Sequence, residues 1–413
     1  MRAMGKEKQY KIVKFNFTND FECDGSYCES HCCRNWGIEI DRATIAKYRN
    51  LKEKELKKEL DNKIDYSYER KKHRITLNED GKCPFLGKDY LCRIQKKLGE
   101  DFLSNVCATY PRRYVCVSDY LTEALSLTCP VVARNLLTQN DSIVLNEYHE
   151  NVKREKIIVS DWNRRKILVD KFLDIQYAVI QILQDKRFSI RERMNNLFLF
   201  GEALEELLIK DEKLSELDVF LQSFLSYEQQ VELAKLGNML PDDINRFIKD
   251  LFSILDKIFV KKSNLFVSKC DAKYMDLLAK SFHLEDDNQV GDLVAIYSDI
   301  FLDYQNFILD KYKMFRENYL VHQWFRNLQP IMAVGTVTEN IIMFLLCFRI
   351  QEIFLMLEAA NNKEKLTEKQ IIECINYGTQ IMEHEKVLFE VCNEYIKERN
   401  YSLIDIIQIW MPK

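Results

Sequence analysis

From about residue 140 to the end, apolar side chains recur every three to four residues. Leu168, Phe172 and Ile175 show it, as do Phe247, Leu251 and Ile254, and later Ile371 and Ile375 with Ile381 and Leu388. That spacing follows the turn of an α-helix with one buried face. Breaks are few: Asn140-Asp141, Pro241-Asp242-Asp243, Asp271, Asp286-Asp287-Asn288, Gly335 and Asn361-Asn362. Thr367 and Gln370 stand at capping-box spacing before one of the runs. The pattern predicts an all-α domain over 139–413, built from about eight to ten helices. The stripe Met343–Leu357, with Phe344, Leu345, Leu346 and Phe348, reads as bundle core rather than a cofactor box. No repeat of fixed period and no low-complexity segment is present.

Residues 1–138 lack this rhythm. Three of the six prolines (Pro84, Pro111, Pro130) and six of the eleven glycines fall there. Trp36–Asp41 alternates apolar and polar positions, as a strand does. Arg74–Leu77, the turn Asn78-Glu79-Asp80-Gly81 and the return Lys82–Leu86 read as a hairpin. Thr44–Leu60 reads as a helix with Lys/Glu pairs four apart, and Gln95–Leu103 and Leu121–Leu137 also read as helical. The expected fold class is therefore mainly α: a Cys-rich, loop-rich metal-binding N-terminal region with short β-hairpins, then an irregular helical domain.

Composition narrows the picture. With 11 glycines and 6 prolines in 413 residues, the chain has few tight turns, which argues against a β-sandwich or a glycine-rich doubly wound enzyme. Lys and Arg number 60 against 64 Asp and Glu, a net charge of -4, so no nucleic-acid partner is expected. The charge is unevenly placed. Residues 1–140 hold 26 basic and 20 acidic side chains, and the rest hold 34 and 44. The plain reading is two solvated surfaces of opposite bias; the sharper one is a groove for a charged partner. The N-terminal stretch has no apolar signal core, and the apolar run Ile341–Phe348 ends at Arg349. A cytoplasmic location without a membrane span is the expectation, hence reduced thiols.

Cysteine is the strongest chemical signal. Nine of thirteen lie in the first 130 residues: Cys23, Cys28, Cys32, Cys33, Cys83, Cys92, Cys107, Cys116 and Cys129. Clustered thiols in a reducing compartment point to metal rather than disulfides. Four thiolates satisfy either one iron–sulfur cluster or one tetrahedral zinc, and both remain open. Adjacent side chains diverge, so Cys32 and Cys33 either serve two metals or one of them packs. Cys83-Pro84 and Cys129-Pro130 match the Cys-Pro ending of ferredoxin ligand runs. Cys116, within the apolar run Tyr114–Val117, is the expected non-ligand. The candidate ligands are thus Cys23, Cys28, Cys32, Cys33, Cys83, Cys92, Cys107 and Cys129, while Cys270, Cys347, Cys374 and Cys392 read as buried packing thiols.

These residues carry a resemblance. Cys23-x4-Cys28-x3-Cys32-Cys33 leading to Trp36 and Asp41, Asn78–Leu86 with Cys83-Pro84, Leu91–Glu100 with Cys92, Leu103–Arg112 with Cys107 and Tyr110-Pro111, and Ser126–Pro130 with Cys129 occur in one order. Together they resemble the flagellin lysine-N-methylase family, and the first part resembles a broader zinc- or iron-chelating domain. The helical remainder is similar more loosely, around Glu317–Val321 and Met382–His384. The resemblance implies a methyltransferase that uses S-adenosylmethionine to methylate lysines of flagellin, with an iron–sulfur cluster, 4Fe-4S, held by the Cys-rich part. The competing class is a non-enzymatic zinc or cluster scaffold whose helices bind a protein partner.

Neither familiar site for S-adenosylmethionine is visible. No Gly-x-Gly occurs, so the glycine-rich turn of the doubly wound fold is missing. Cys28-x3-Cys32 runs straight into Cys33, which breaks the radical-type triad. If the donor binds, an open iron of an incompletely ligated cluster is one way to hold it. Other side chains read more plainly. His31 is a loop histidine or a fourth ligand, and Trp36 packs the region. Arg112 and Arg113 are surface residues or a carboxylate or phosphate site. His384 is an inter-helix histidine rather than a base.

Overall fold

A computed structural model describes residues 7–28, 32–34, 37–66, 73–153, 156–159, 166–210, 214–240, 242–263, 269–282, 292–327, 335–384, 386–399, 401 and 403–410. The chain divides into two compact units. One comprises residues 1–132 and 144–160, and the other comprises 133–143 and 161–413. A cut drawn at 138 from the sequence thus differs from the structure at 133–138, which belong to the second unit, and at 144–160, which return to the first.

The reason is a strand. In the N-terminal unit β1 (Glu7–Phe15) pairs antiparallel with Leu145–Lys153 over its whole length. Two short strands, β2 (Glu39–Ile40) and β3 (Ile64–Asp65), pair with β4 (His73–Ile75) in a small second sheet. The larger sheet adds β5 (Arg112–Val117) and β6 (Tyr120–Leu125), the long strand β7 (Leu145–Lys153) and β8 (Ile157–Val159), in the order β7-β1-β6-β5-β8. β1 runs parallel to β6, with Ile12 opposite Leu121, and β5 runs parallel to β8. On one face Ile12, Leu121 and Val152 form a buried cluster flanked by Tyr10, Tyr114, Cys116 and Ile157. Ser118, at φ +52°, turns β5 into β6.

Several expectations need correcting here. The N-terminal region is not merely irregular with hairpins, since a five-stranded mixed sheet organises it. Leu121–Leu137 is not one helix. Its first residues complete β6, and a helix follows only at Pro130–Leu137. Thr44–Leu60 is two helices, Arg42–Arg49 and Lys54–Lys63. Gln95–Leu103 breaks at Gly99, φ +88°, after a helix at Arg93–Leu98. The proposed hairpin keeps its turn, because Asn78 N–H donates to the Lys82 carbonyl at 2.8 Å. However, β4 pairs with β2 and β3 instead of with 82–86. Short polar strands yield to whichever edge buries their apolar positions.

Around the small sheet Ile38, Ile40, Ile45, Tyr48, Leu56, Leu60, Ile64, Ile75 and Phe85 make a separate core. Cys83 is buried in it, and Cys33, Cys92 and Cys107 pack against its edge. The fold places these thiols and apolar side chains in one shell.

The second unit is helical, as the periodicity predicts. Its longest helix, Val337–Asn362, starts at a capping box between Thr336 and Glu339. Nearly every residue from Met343 to Ala359 is buried. By length and composition Val337–Lys365 could cross a membrane, yet 94% of its most apolar window lies inside the unit. Its buried charges are also matched there. The Tyr297 hydroxyl is 2.6 Å from Arg349, Arg316 Nε lies 2.6 Å from Glu352, and the Tyr274 hydroxyl donates to Glu358 at 2.8 Å. These matches mark a core helix. The predicted Thr367–Gln370 box is present, with Gln370 N–H donating to the Thr367 hydroxyl at 3.3 Å and Gln370 Oε1 accepting from Thr367 N–H at 3.0 Å.

Candidate functional site

The twelve cysteines placed among the described residues with their side chains are thiols, not disulfides. Eight of them were the expected ligands, and the structure sorts these eight into two groups.

The first group borders the small core. Cys83 N–H donates to the Cys33 carbonyl at 2.8 Å, which ties the two segments together. A single bridge joins Leu86 to Cys92, and Arg93 N–H donates to the Phe85 carbonyl at 2.8 Å, closing the loop that carries Cys83 and Cys92. Cys92 stands at the N-cap position of helix Arg93–Leu98. Cys107 sits on the short helix Asn105–Thr109, capped by the Ser104 hydroxyl. Asp41 anchors that helix to its neighbour, accepting from Asn105 N–H at 3.0 Å and Thr44 N–H at 2.9 Å. Burial pushes the Asp41 carboxyl up, but these hydrogen bonds outweigh it and hold the group below its ordinary value.

The thiols of this group perturb one another. Cys32 is raised chiefly because it donates to Cys33, then by burial and the charge of Cys33. Accepting from Cys32 lowers Cys33, but its own bond to Cys83, burial, and the neighbouring Cys83 and Cys107 carry it upward. Burial pushes Cys107 up to about 11, against the lowering effect of Ser104, with Cys92 and Cys32 adding to the rise. The Tyr48 phenol is raised by burial and then by Cys107, Cys92, Asp41 and Cys83.

The second group is Cys23, Cys28 and Cys129. Gly25, at φ +57°, makes the turn that brings Cys28 N–H to its carbonyl at 3.2 Å, and Gly25 N–H lies 3.4 Å from Cys23 Sγ. Cys129 precedes helix Pro130–Leu137. Burial pushes its thiol up to about 12, the backbone N–H groups of Val132 and Val131 pull it down, and Cys28 and Cys23 push it up again. Among the described residues no three Cys, His, Asp or Glu side chains close on a single ion. By donor type alone these free thiols, five in the first group and three in the second, are of the kind a thiophilic metal takes.

Cys116 belongs to neither group. It lies on β5, and its S–H reaches the Ser118 carbonyl at 3.8 Å. Cys347, Cys374 and Cys392 are buried in the helical unit, and Cys270 lies on helix Lys269–Ser281. His31 and Trp36 fall outside the described residues, as does the side chain of His384. Arg112 has definite surroundings. Its guanidinium stacks 4.9 Å over the Phe21 ring, and Nε is 3.3 Å from the buried Glu123. Sequence reading missed that network. Lys14 and Glu123 are both buried, and Lys14 Nζ reaches Glu150 at 2.6 Å and Glu123 at 3.5 Å. Burial raises Glu123 despite the opposing pull of Lys14 and Arg112. Its one local trace was Lys14 directly after the apolar pair Ile12-Val13 on β1.

The motif residues Glu317 and Asn318 of the helical unit are structural. Glu317 pairs with buried Arg193 at 2.7 Å, and Asn318 accepts from Ile143 N–H at 3.0 Å and donates to the Asp141 carbonyl at 2.9 Å.

A family model described as the FliB lysine N-methylase C-terminal domain matches residues 176–408. The chain belongs to the FliB lysine N-methylase family. It is 28% identical over 240 residues to the Lysine-N-methylase of Salmonella typhimurium (strain LT2), and likewise to that of Salmonella choleraesuis. Each alignment covers 57% of this chain, and the chain spans about 58% of those relatives. The Flagellar biosynthetic protein FliU of Salmonella muenchen is 32% identical over 162 residues, 38% of this chain and 95% of the relative. No solved structure matches. In this FliB-family chain the segment matched by the family model is helical, and both thiol groups lie outside it.

Proposed function

We propose that the protein is an S-adenosylmethionine-dependent protein-lysine N-methyltransferase acting on flagellin in the cytoplasm. Membership of the FliB lysine N-methylase family carries this reading, and the flagellar name of the FliU relative supports the choice of substrate. The reaction needs a neutral lysine amine in line with the methyl group. The nitrogen lone pair forms the N–C bond while the C–S bond breaks and its electron pair stays on sulfur. The nitrogen then loses a proton to a base or water.

The thiol groups fit an iron–sulfur cluster, with zinc as the alternative. Cys33, Cys83, Cys92 and Cys107, with Cys32 beside them, would be the candidates for a four-thiolate set. Cys23, Cys28 and Cys129 offer three. An iron–sulfur cluster held by three thiolates would supply an iron with one open coordination position. The chain's own part is to hold these thiols on short loops anchored by Asp41, Gly25 and the backbone hydrogen bond from Cys83 N–H to the Cys33 carbonyl.

Mass spectrometry of flagellin co-expressed with this protein tests the reading, and methylated lysines are the expected result. Unmethylated flagellin beside fully metal-loaded protein supplied with donor would refute it and favour a metal-held scaffold that binds protein partners. Anaerobic purification should give iron and labile sulfide in similar amounts, and stoichiometric zinc without sulfide would overturn the cluster.

A further inference from the structure

We propose that a polar cavity in the N-terminal unit receives the carboxylate end of the methyl donor; this rests on the methyltransferase reading above. The cavity holds about 410 Å³ and is lined by Arg112, Lys153, Lys156, Tyr110, Tyr114 and Glu100, among others. That volume suits a small organic ligand. Arg112, Lys153 and Lys156 in the wall each pair with an acid, Glu123, Asp101 and Glu100, so an anion enters by displacing the two exposed acids.

Its position connects it with the thiols. Ala108 in the wall follows Cys107 directly. Arg112 stacks on Phe21, two residues before Cys23. The Tyr110 hydroxyl is 3.1 Å from that of Thr128, the neighbour of Cys129. Segments bearing both thiol groups therefore build or buttress this one cavity. Arg112 is held by an aromatic ring and a buried carboxylate, as a positioned anion receptor should be. Lys153 and Lys156 pair with Asp101 at 3.2 Å and Glu100 at 3.0 Å, and both acids are more than half exposed. Exposed pairs hold weakly, so an incoming carboxylate can take their place.

A second cavity of equal volume lies in the helical unit and contains Arg191, Arg316 and Arg349. Its cations are already committed. Arg191 pairs with Asp242 at 2.6 Å, and Arg316 and Arg349 share the buried Glu352. That arrangement is structural neutralisation, which leaves the N-terminal cavity as the exchangeable one.

The test is binding to the anaerobically purified full chain by titration calorimetry. S-adenosylhomocysteine keeps the amino-acid end, and 5′-methylthioadenosine lacks it. Wild type should prefer the former by about tenfold or more, the size of a charge-assisted contact. Lys153→Gln/Lys156→Gln should erase most of that preference by weakening S-adenosylhomocysteine alone, and Arg112→Lys, which keeps the charge, should retain part of it. Circular dichroism should show both variants folded. An unchanged preference in the double variant overturns the proposal, as does competition by inorganic phosphate without any binding of S-adenosylhomocysteine. If wild type methylates flagellin while the preference is unchanged in the variant, only this site falls. If neither binding nor methylation occurs, the methyltransferase reading falls as well.

Discussion

Replacing Glu317 by Ala should destabilise the helical unit by far more than an ordinary surface change. The Glu317 carboxylate is buried and makes a 2.7 Å pair with Arg193, itself buried, while also accepting from the Ser142 hydroxyl. Arg193 keeps its bonds to the Phe188 carbonyl at 2.8 Å and the Leu183 carbonyl at 3.0 Å, but carbonyls do not neutralise a guanidinium. Breaking a buried pair from one side costs about 3–5 kcal/mol. At roughly 2–4 °C per kcal/mol for a unit of this size, the melting temperature should fall by roughly 6–20 °C. Removing both charges together, as Arg193→Met/Glu317→Leu, should recover most of the loss, because no buried ion is then left unpaired. Thermal melts by far-UV circular dichroism and urea titrations read both variants. A Glu317→Ala protein within about 1 kcal/mol of wild type, or a double variant no better than the single one, would refute the reasoning. Either result would free Glu317, which lies in one of the loosely matched family motifs, for a role in chemistry.

Other expectations follow from the same structure. Replacing Cys33 or Cys83 by Ser should lower the metal content of anaerobic preparations measured by plasma emission, whereas Cys374→Ser should leave it unchanged. Full loading of a Cys33/Cys83 double variant would show that other thiols hold the metal. Asp41 has a folded value below its unfolded one, so its contribution is present above the unfolded value and lost as pH falls through the folded one. Asp41→Ala should therefore cost about 1 kcal/mol at neutral pH and should flatten the acid limb of a stability profile; an unaltered acid limb would count against this role. A side chain at Gly237 would run into Asn195, which is fully buried. Gly237→Ala should thus lower stability by about 1–3 kcal/mol in urea melts, and a neutral outcome would mean that Asn195 moves aside.

Local pattern determined much of this protein. The three-to-four-residue rhythm beyond residue 140 announced a helical unit, because burial of one helix face repeats with the turn and needs no knowledge of the partner. The Thr367–Gln370 cap was equally local. The buried stripe Met343–Leu357 and the family itself could also be read, the latter from ordered cysteine spacing. Sheet membership could not. Leu145-Asn146-Glu147-Tyr148 carries little apolar signal, and its pairing with Glu7–Phe15 depends on residues about 130 positions away. Leu121–Leu125 reads as helix or strand alike until β1 and β5 flank it. The candidate site shows the same limit. Spacing named the eight thiols, but only the folded chain separated Cys33, Cys83, Cys92 and Cys107 from Cys23, Cys28 and Cys129. It alone brought Arg112, Lys153 and Lys156 to one cavity. Such groupings come from long-range closure around a small core, where backbone hydrogen bonds between distant loops decide which side chains meet.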